Sequence, residues 1–189
     1  MWGIRYSSVT RPPFIVNVAG PTSRRTGVNG CVYSDEHHST FISGNVILTC
    51  STQPPNPRYL AAWDQAMSGL ARRVEGPICV VTIIDSGTPA PDEASRKAIR
   101  HSINKHRHRI AALAYVVEGH GFGAAALRSV LSVISLTARY PFPQKIFATT
   151  SEASAWVAQS KGVTTTAPEM LAQIDMMRGG GDVGLAATG

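Results

Sequence analysis

Residues Ile78 to Ser95 read ICVVTIIDSGTPAPDEAS, and the order of the parts decides the fold. Ile78 to Ile84 is apolar and β-branched almost throughout, the composition of a strand covered on both faces and therefore central and parallel in its sheet. A turn over Ser86 to Pro91 follows. Asp92 or Pro91 then opens a helix that turns Ala94, Ala98, Ile99 and Ile103 inward and ends in the basic run Lys105 to Arg109. Strand, turn and helix in that order make half of a crossover unit, which lays its helix against a sheet of parallel strands.

The pattern repeats on both sides. Upstream, Phe41-Ile42 and Val46 to Thr49 flank a Ser-Gly-Asn turn and read as a hairpin. Pro54 and Pro55 end it, and Asn56 followed by Pro57 marks a helix start, because the Asn side chain accepts from free amides and proline needs no N–H there. That helix runs to about Arg73, with Leu60, Trp63, Met67, Leu70 and Val74 as one buried stripe. Downstream, Ile110 to Val117 is a core strand and Gly119 to Gly123 a turn. Ala124 to Arg139 is a helix with Leu127, Leu131, Ile134 and Leu136 inward. Lys145 to Thr149 is a last strand, and Ser151 caps a final helix. The expected fold is α/β, a small mixed sheet of about four or five strands with about four helices. Residues 1–38, rich in proline, glycine, hydroxyls and arginine, are expected as a flexible arm, residues 39–160 as the domain, and residues 161–189 as a flexible tail in which Pro168 to Met177 can form a short helix.

The chain of 189 residues, 43% hydrophobic, suits one such domain. No apolar run approaches the roughly 18 residues that span a bilayer, so no membrane insertion is expected. Cys31, Cys50 and Cys79 are odd in number and include no Cys-x-x-Cys pair, which fits buried thiols in a reducing cytoplasm. The net charge of +6 is concentrated outside the core: Arg5, Arg11, Arg24 and Arg25 precede any acid. The densest basic segment, from Arg96 to Arg109, lacks the interleaved aromatic residues that stack on bases, so its cations read as a solvated helix end and a nucleic-acid partner is not expected. His101, His106 and His108 lack a sustained one-face spacing for a metal, as does His37-His38.

Two stretches carry a resemblance. Ile83-Ile84-Asp85-Ser86-Gly87, and Ile146 to Ala153 with Trp156-Val157 beyond it, are similar to the strand end and the closing strand and helix of the SpoIIAA-like or STAS family, the bacterial anti-sigma-factor antagonists and their wider relatives. The resemblance covers roughly Phe41 to Gln159 and implies a SpoIIAA-like domain that acts by docking a protein partner or itself. In regulatory members a serine just after an aspartate at the start of the second helix is the phosphorylation switch. When Asp85 is laid on the earlier aspartate of that motif, Asp92 falls on the later one and Glu93 on the serine, so the phosphoacceptor is missing and a fixed carboxylate stands in its place. Ser86 and Ser95 are nearby hydroxyls outside the matched position.

Open α/β sheets place their sites at the carboxyl ends of parallel strands, where Asp85, Glu118, His120 and Thr149 fall. Glu118 with His120 would make an acid/base pair and Asp85 would orient the imidazole, although no nucleophile is paired with them. The competing reading has Asp85 capping its own turn and His120 as a loop residue. Gly119 to Ala124 offers amides before a helix, as phosphate binding requires, but no acid ends the following strand to hold a ribose. No cofactor is expected. The leading expectation is therefore a cytoplasmic, non-enzymatic interaction module without the serine switch, with a protein partner or a homodimer. The alternatives are an enzyme using Asp85, Glu118 and His120, or a carrier of a small apolar ligand.

Overall fold

A computed structural model describes residues 29–179. Six strands form one mixed sheet in chain order: β1 (Gly30–Ser34), β2 (His38–Ser43), β3 (Val46–Ser51), β4 (Ile78–Ile84), β5 (Ile110–Val117) and β6 (Gln144–Phe147). β1 pairs antiparallel with β2 and β2 with β3, and β3 to β6 run parallel. Five helices accompany them: α1 (Pro57–Arg73), α2 (Glu93–His106), α3 (Phe122–Ala138), α4 (Thr150–Ala158) and α5 (Ala167–Gly179). The α/β class agrees with the sequence, whereas the counts exceed the four or five strands and four helices expected from it. No helix among the described residues is long and apolar enough to cross a membrane.

The handedness of the crossovers sorts the helices. Right-handed connections that always step to the next strand in the same direction keep α1, α2 and α3 on one face of the sheet. There they cover Ile47, Val80, Leu113 and Tyr115 with Trp63, Met67, Leu70, Ile103, Leu127 and Leu131. The alternate residues Val46, Leu48, Cys79, Val81, Ala112 and Ala114 point to the other face, where α4 and α5 supply Ala153, Val157, Met170 and Ile174. One strand thus feeds two separate cores.

The domain reaches past the boundaries read from the sequence. β1 lies in the segment expected as an arm, and it escaped notice because a half-buried edge strand needs no apolar run. α5 lies in the segment expected as a tail, yet Met170 and Ile174 are fully buried. Thr166 and Glu169 cap α5 reciprocally: the Thr166 N–H and hydroxyl each donate to Oε2 of Glu169 at 2.8 Å, and the Glu169 N–H donates to the Thr166 hydroxyl at 3.4 Å. The remainder of the expected arm and tail, 1–28 and 180–189, lies outside the described residues.

A latch joins the two cores to the hairpin. Gly44, at φ +57°, turns β2 into β3, and a side chain there would overlap the Thr165 hydroxyl and come within 2.8 Å of that of Thr164. The buried Asn45 amide donates to the carbonyls of Pro77 (2.7 Å) and Gly162 (2.8 Å), while its oxygen accepts from the N–H and hydroxyl of Thr164. The chain between α4 and α5 is held there.

Smaller corrections concern helix ends and faces. Asn56 caps α1 and Asp92 caps α2 as expected, but α4 is capped by Thr149, whose hydroxyl accepts from the Glu152 N–H, and not by Ser151. α3 starts at Phe122, earlier than Ala124, because Gly121 at φ +90° completes the turn. Ala94 and Leu136 are exposed, not buried.

Candidate functional site

Among the described residues two concavities border the sheet, and the sequence pointed to one of them. The first is an open cleft of about 610 Å³ at the carboxyl ends of β3, β4 and β5. Cys50, Asp85 and Glu118 come from the strand ends, Asp35 and His38 from the β1–β2 hairpin, and Arg178 from the last turn of α5.

Asp85 and Glu118 therefore share a wall, but both are engaged. Oδ1 of Asp85 accepts from the Gly87 N–H at 2.8 Å, and its carbonyl accepts from the Thr88 N–H at 2.9 Å, so Asp85 closes its own turn. Oε2 of Glu118 accepts from Nη2 of Arg178 at 2.5 Å and Oε1 from the Thr150 hydroxyl at 3.4 Å, which ties α4 and α5 to the end of β5. His120 is exposed, forms no hydrogen bond with the described residues and is not among the side chains lining the cleft. The expected acid/base constellation does not assemble. Burial pushes the Cys50 thiol above its ordinary value, and that of Cys79 to about 11, so neither is a thiolate near neutrality.

The switch positions divide. Ser86 faces the cleft and meets Gly119, where an added side chain would stand 3.0 Å from the serine hydroxyl. Asp92 caps α2 by accepting from the Ser95 N–H at 2.7 Å, and that bond, with help from the Ser95 side chain, holds its carboxyl below the usual range. Glu93 is exposed in the first turn, where a carboxylate is favoured by the helix dipole.

Histidines and basic residues that the sequence did not assign to a ligand have structural contacts. His38 stacks on Tyr59 with ring centroids 4.5 Å apart, and its ring nitrogens sit 3.1 Å from the Asp35 carboxylate and 3.2 Å from the Gln53 carbonyl. In the basic segment, Lys105 and His106 both bind Asp64 of α1, at 2.5 and 2.6 Å, and Arg109 donates to the carbonyls of Val74 and Gly76. These side chains tie α2 and the residues after it to α1 and the chain that follows it. Among the described residues no group of three or more His, Cys, Asp or Glu is placed to hold a metal.

The second concavity was not legible in the sequence. It is an apolar cavity of about 120 Å³ between the sheet and the helices α1, α2 and α3, lined by Val80, Ile84, Leu113, Leu127, Leu131 and Ile134 among others. Thr88, Pro89 and Pro91 of the turn before α2 close one side. The cavity exists because α2 buries only Ile103 and His106 fully and leans on α1, while α3 sits over β5 and β6. The space between α2 and α3 is left open.

The outer surface of α3 is the third feature. Phe122 is 91% exposed, Val133 61% and Leu136 78%. Arg128, the helix's one charged residue, turns back onto the carbonyls of Val117 and Gly119, so no charge interrupts the stripe. Comparison with family models, with curated proteins and with solved structures gives no match to this chain.

Proposed function

We propose that this chain is a non-catalytic interaction module of SpoIIAA-like type that docks through the outer face of α3. The uncharged face with Phe122, Val133 and Leu136, and exposed Ala125 and Ser129 between them, carries the reading, since large apolar side chains exposed on one helix face favour association. The strand–turn–helix from Ile83 to Glu93 and the in-order parallel strands with α1, α2 and α3 on one face support the family resemblance. With Glu93 where regulatory relatives carry serine, docking is constitutive, and the free thiols of Cys31, Cys50 and Cys79 fit a cytoplasmic setting.

The occupant that fits the stripe is a second copy of the chain. Two α3 helices laid antiparallel about Ser129 set Phe122 against Leu136, and exposed Ala125 against Val133, so large residues meet apolar or small ones and no like charges meet. A helix about 26 Å long cannot alone cover the roughly 800 Å² per partner of a standard interface, so the dimer is weak and reversible. Sedimentation velocity over a concentration series is the test. The wild type should show a dimer that Val133→Glu with Leu136→Glu abolishes, and a wild type that stays monomeric at its highest soluble concentration overturns self-docking.

The apolar cavity favours a second reading, a carrier of a small apolar ligand. Nothing in the geometry favours an enzyme built on Asp85, Glu118 and His120, because the two carboxylates are engaged and the imidazole does not line the cleft.

A further inference from the structure

We propose that the cavity between the sheet, α2 and α3 takes a small amphiphilic acid, its apolar body inside and its carboxylate held at the rim by Arg96 and Arg100. The proposal rests on the reading of that cavity as a ligand site and adds the chemical class of the ligand.

Charge asymmetry comes first. Of all the side chains lining the cavity, the charged ones are Arg96 and Arg100, and no aspartate or glutamate is among them. An anion at this rim meets two cations and no carboxylate among the lining side chains. The two arginines stand one helical turn apart, so they share a face of α2. Both are exposed at the rim of a cavity whose interior is apolar.

Neither guanidinium is committed elsewhere. Arg109, Arg128 and Arg178 donate to carbonyls or a carboxylate within the fold, and Lys105 binds Asp64, whereas Arg96 and Arg100 form no ion pair and donate no side-chain hydrogen bond among the described residues. Asp92, the acid that feels the charge of Arg96, already accepts from the Ser95 amide. Tyr140, half-buried on the same lining and stacked on Phe142 at 5.2 Å, feels the charge of Arg100. Its hydroxyl is a further donor for the carboxylate. A planar guanidinium matches a carboxylate with two parallel N–H donors, a geometry that an alcohol cannot use.

Size bounds the body of the ligand. A cavity of about 120 Å³ lies near the engineered cavity of about 150 Å³ that holds benzene, and well below the roughly 300 Å³ where drug-sized pockets begin. One aromatic ring or a short alkyl chain fits. A sterol or a long acyl chain does not.

The test compares two probes with the same body and different heads, 3-phenylpropanoate and 3-phenylpropan-1-ol, titrated into the full chain by calorimetry at low salt. Wild type should bind the acid about tenfold more tightly than the alcohol, the scale of charge-assisted bonds at an exposed rim. In Arg96→Gln with Arg100→Gln, both surface changes, the difference should vanish while the alcohol binds as before. Ile134→Trp, at a half-buried lining position, should fill the cavity and remove binding of both, with circular dichroism confirming the fold. Equal binding of acid and alcohol by wild type, or a preference that survives the double variant, overturns the acid head and leaves the cavity reading intact. If neither probe binds, or if Ile134→Trp binds them as wild type does, both the acid head and the cavity reading fall.

Discussion

The two faces of the sheet are packed differently although the same strands supply them. Toward α4 and α5 the strands set three small residues, Cys79, Ala112 and Ala114, among larger ones such as Leu48, Val81 and Ile83, which lets α4 pack on β4 and β5, and Met170 and Ile174 of α5 are fully buried beside them. Toward α1, α2 and α3 they offer Leu113, Tyr115 and Val80, larger residues that hold the helices off, and the space between α2 and α3 stays unfilled. The face with small strand residues is the closed one. The apolar cavity and the uncovered apolar stripe both involve α3, on the face with large residues, whereas the polar cleft lies at the strand ends beside α5.

The largest effect that would break this comparison is a truncation on each face. Ile174→Ala should cost about 3–4 kcal/mol and Leu131→Ala nearer 2, because a residue beside a cavity has fewer contacts to lose. Urea unfolding measures both, and equal costs would mean that the faces are packed alike. The latch comes next. Asn45→Ala should cost roughly 2–3 kcal/mol, since it leaves the Pro77 and Gly162 carbonyls and the Thr164 N–H without their partner, and hydrogen exchange should rise first in α5. Enlargement sharpens the contrast with opposite outcomes. Ala114→Leu should destabilise by about 1–3 kcal/mol through overpacking, whereas Leu131→Phe, directed at free space, should cost under about 1; a thermal melt distinguishes them.

A smaller effect depends on pH. Burial tends to raise the Asp64 carboxyl, but the hydrogen bonds from Lys105 and His106 and their charges outweigh it and hold the group below its ordinary value. A depressed native value means that the unfolded chain binds the proton more readily. The stabilisation is therefore present above the unfolded carboxylate range, near about pH 4, and is lost as pH falls through the native value. Asp64→Asn should flatten the acid limb of a stability-versus-pH curve by less than one proton, and an unchanged limb would remove the α1–α2 ion cluster from the account. The smallest effect is Leu136→Lys, which should change stability by under about 0.5 kcal/mol because the side chain is already in water. A large loss in the same melt would mean that α3 packs more closely than its exposure indicates.

Legibility followed burial. The strand Ile78–Ile84 and the helix Pro57–Arg73 have the bounds read from the sequence, since a continuous apolar run and an Asn-Pro start express their structural causes locally. β1 did not announce itself, because only Val32 and Tyr33 of its five residues favour a strand and both are half-buried at an edge. α5 was legible as the short helix at Pro168 to Met177, but the glycine-rich and hydroxyl-rich setting hid that Met170 and Ile174 pack into a core. At the candidate site, the sequence placed Asp85 and Glu118 at strand ends, where they are. It could not place Arg178 beside Glu118, because their meeting depends on where α5 returns across the sheet.

The sequence by itself determined the alternation of strands and helices, the caps at Asn56 and Asp92, and the α/β class, because periodicity, proline positions and side-chain acceptors act over a few residues. Tertiary structure decided which carboxylates are engaged, which basic side chains tie α2 to α1, and which side of α3 is covered. It also decided that a cavity lies between α2 and α3, since an unfilled volume belongs to no residue and arises only from how separate elements fail to meet.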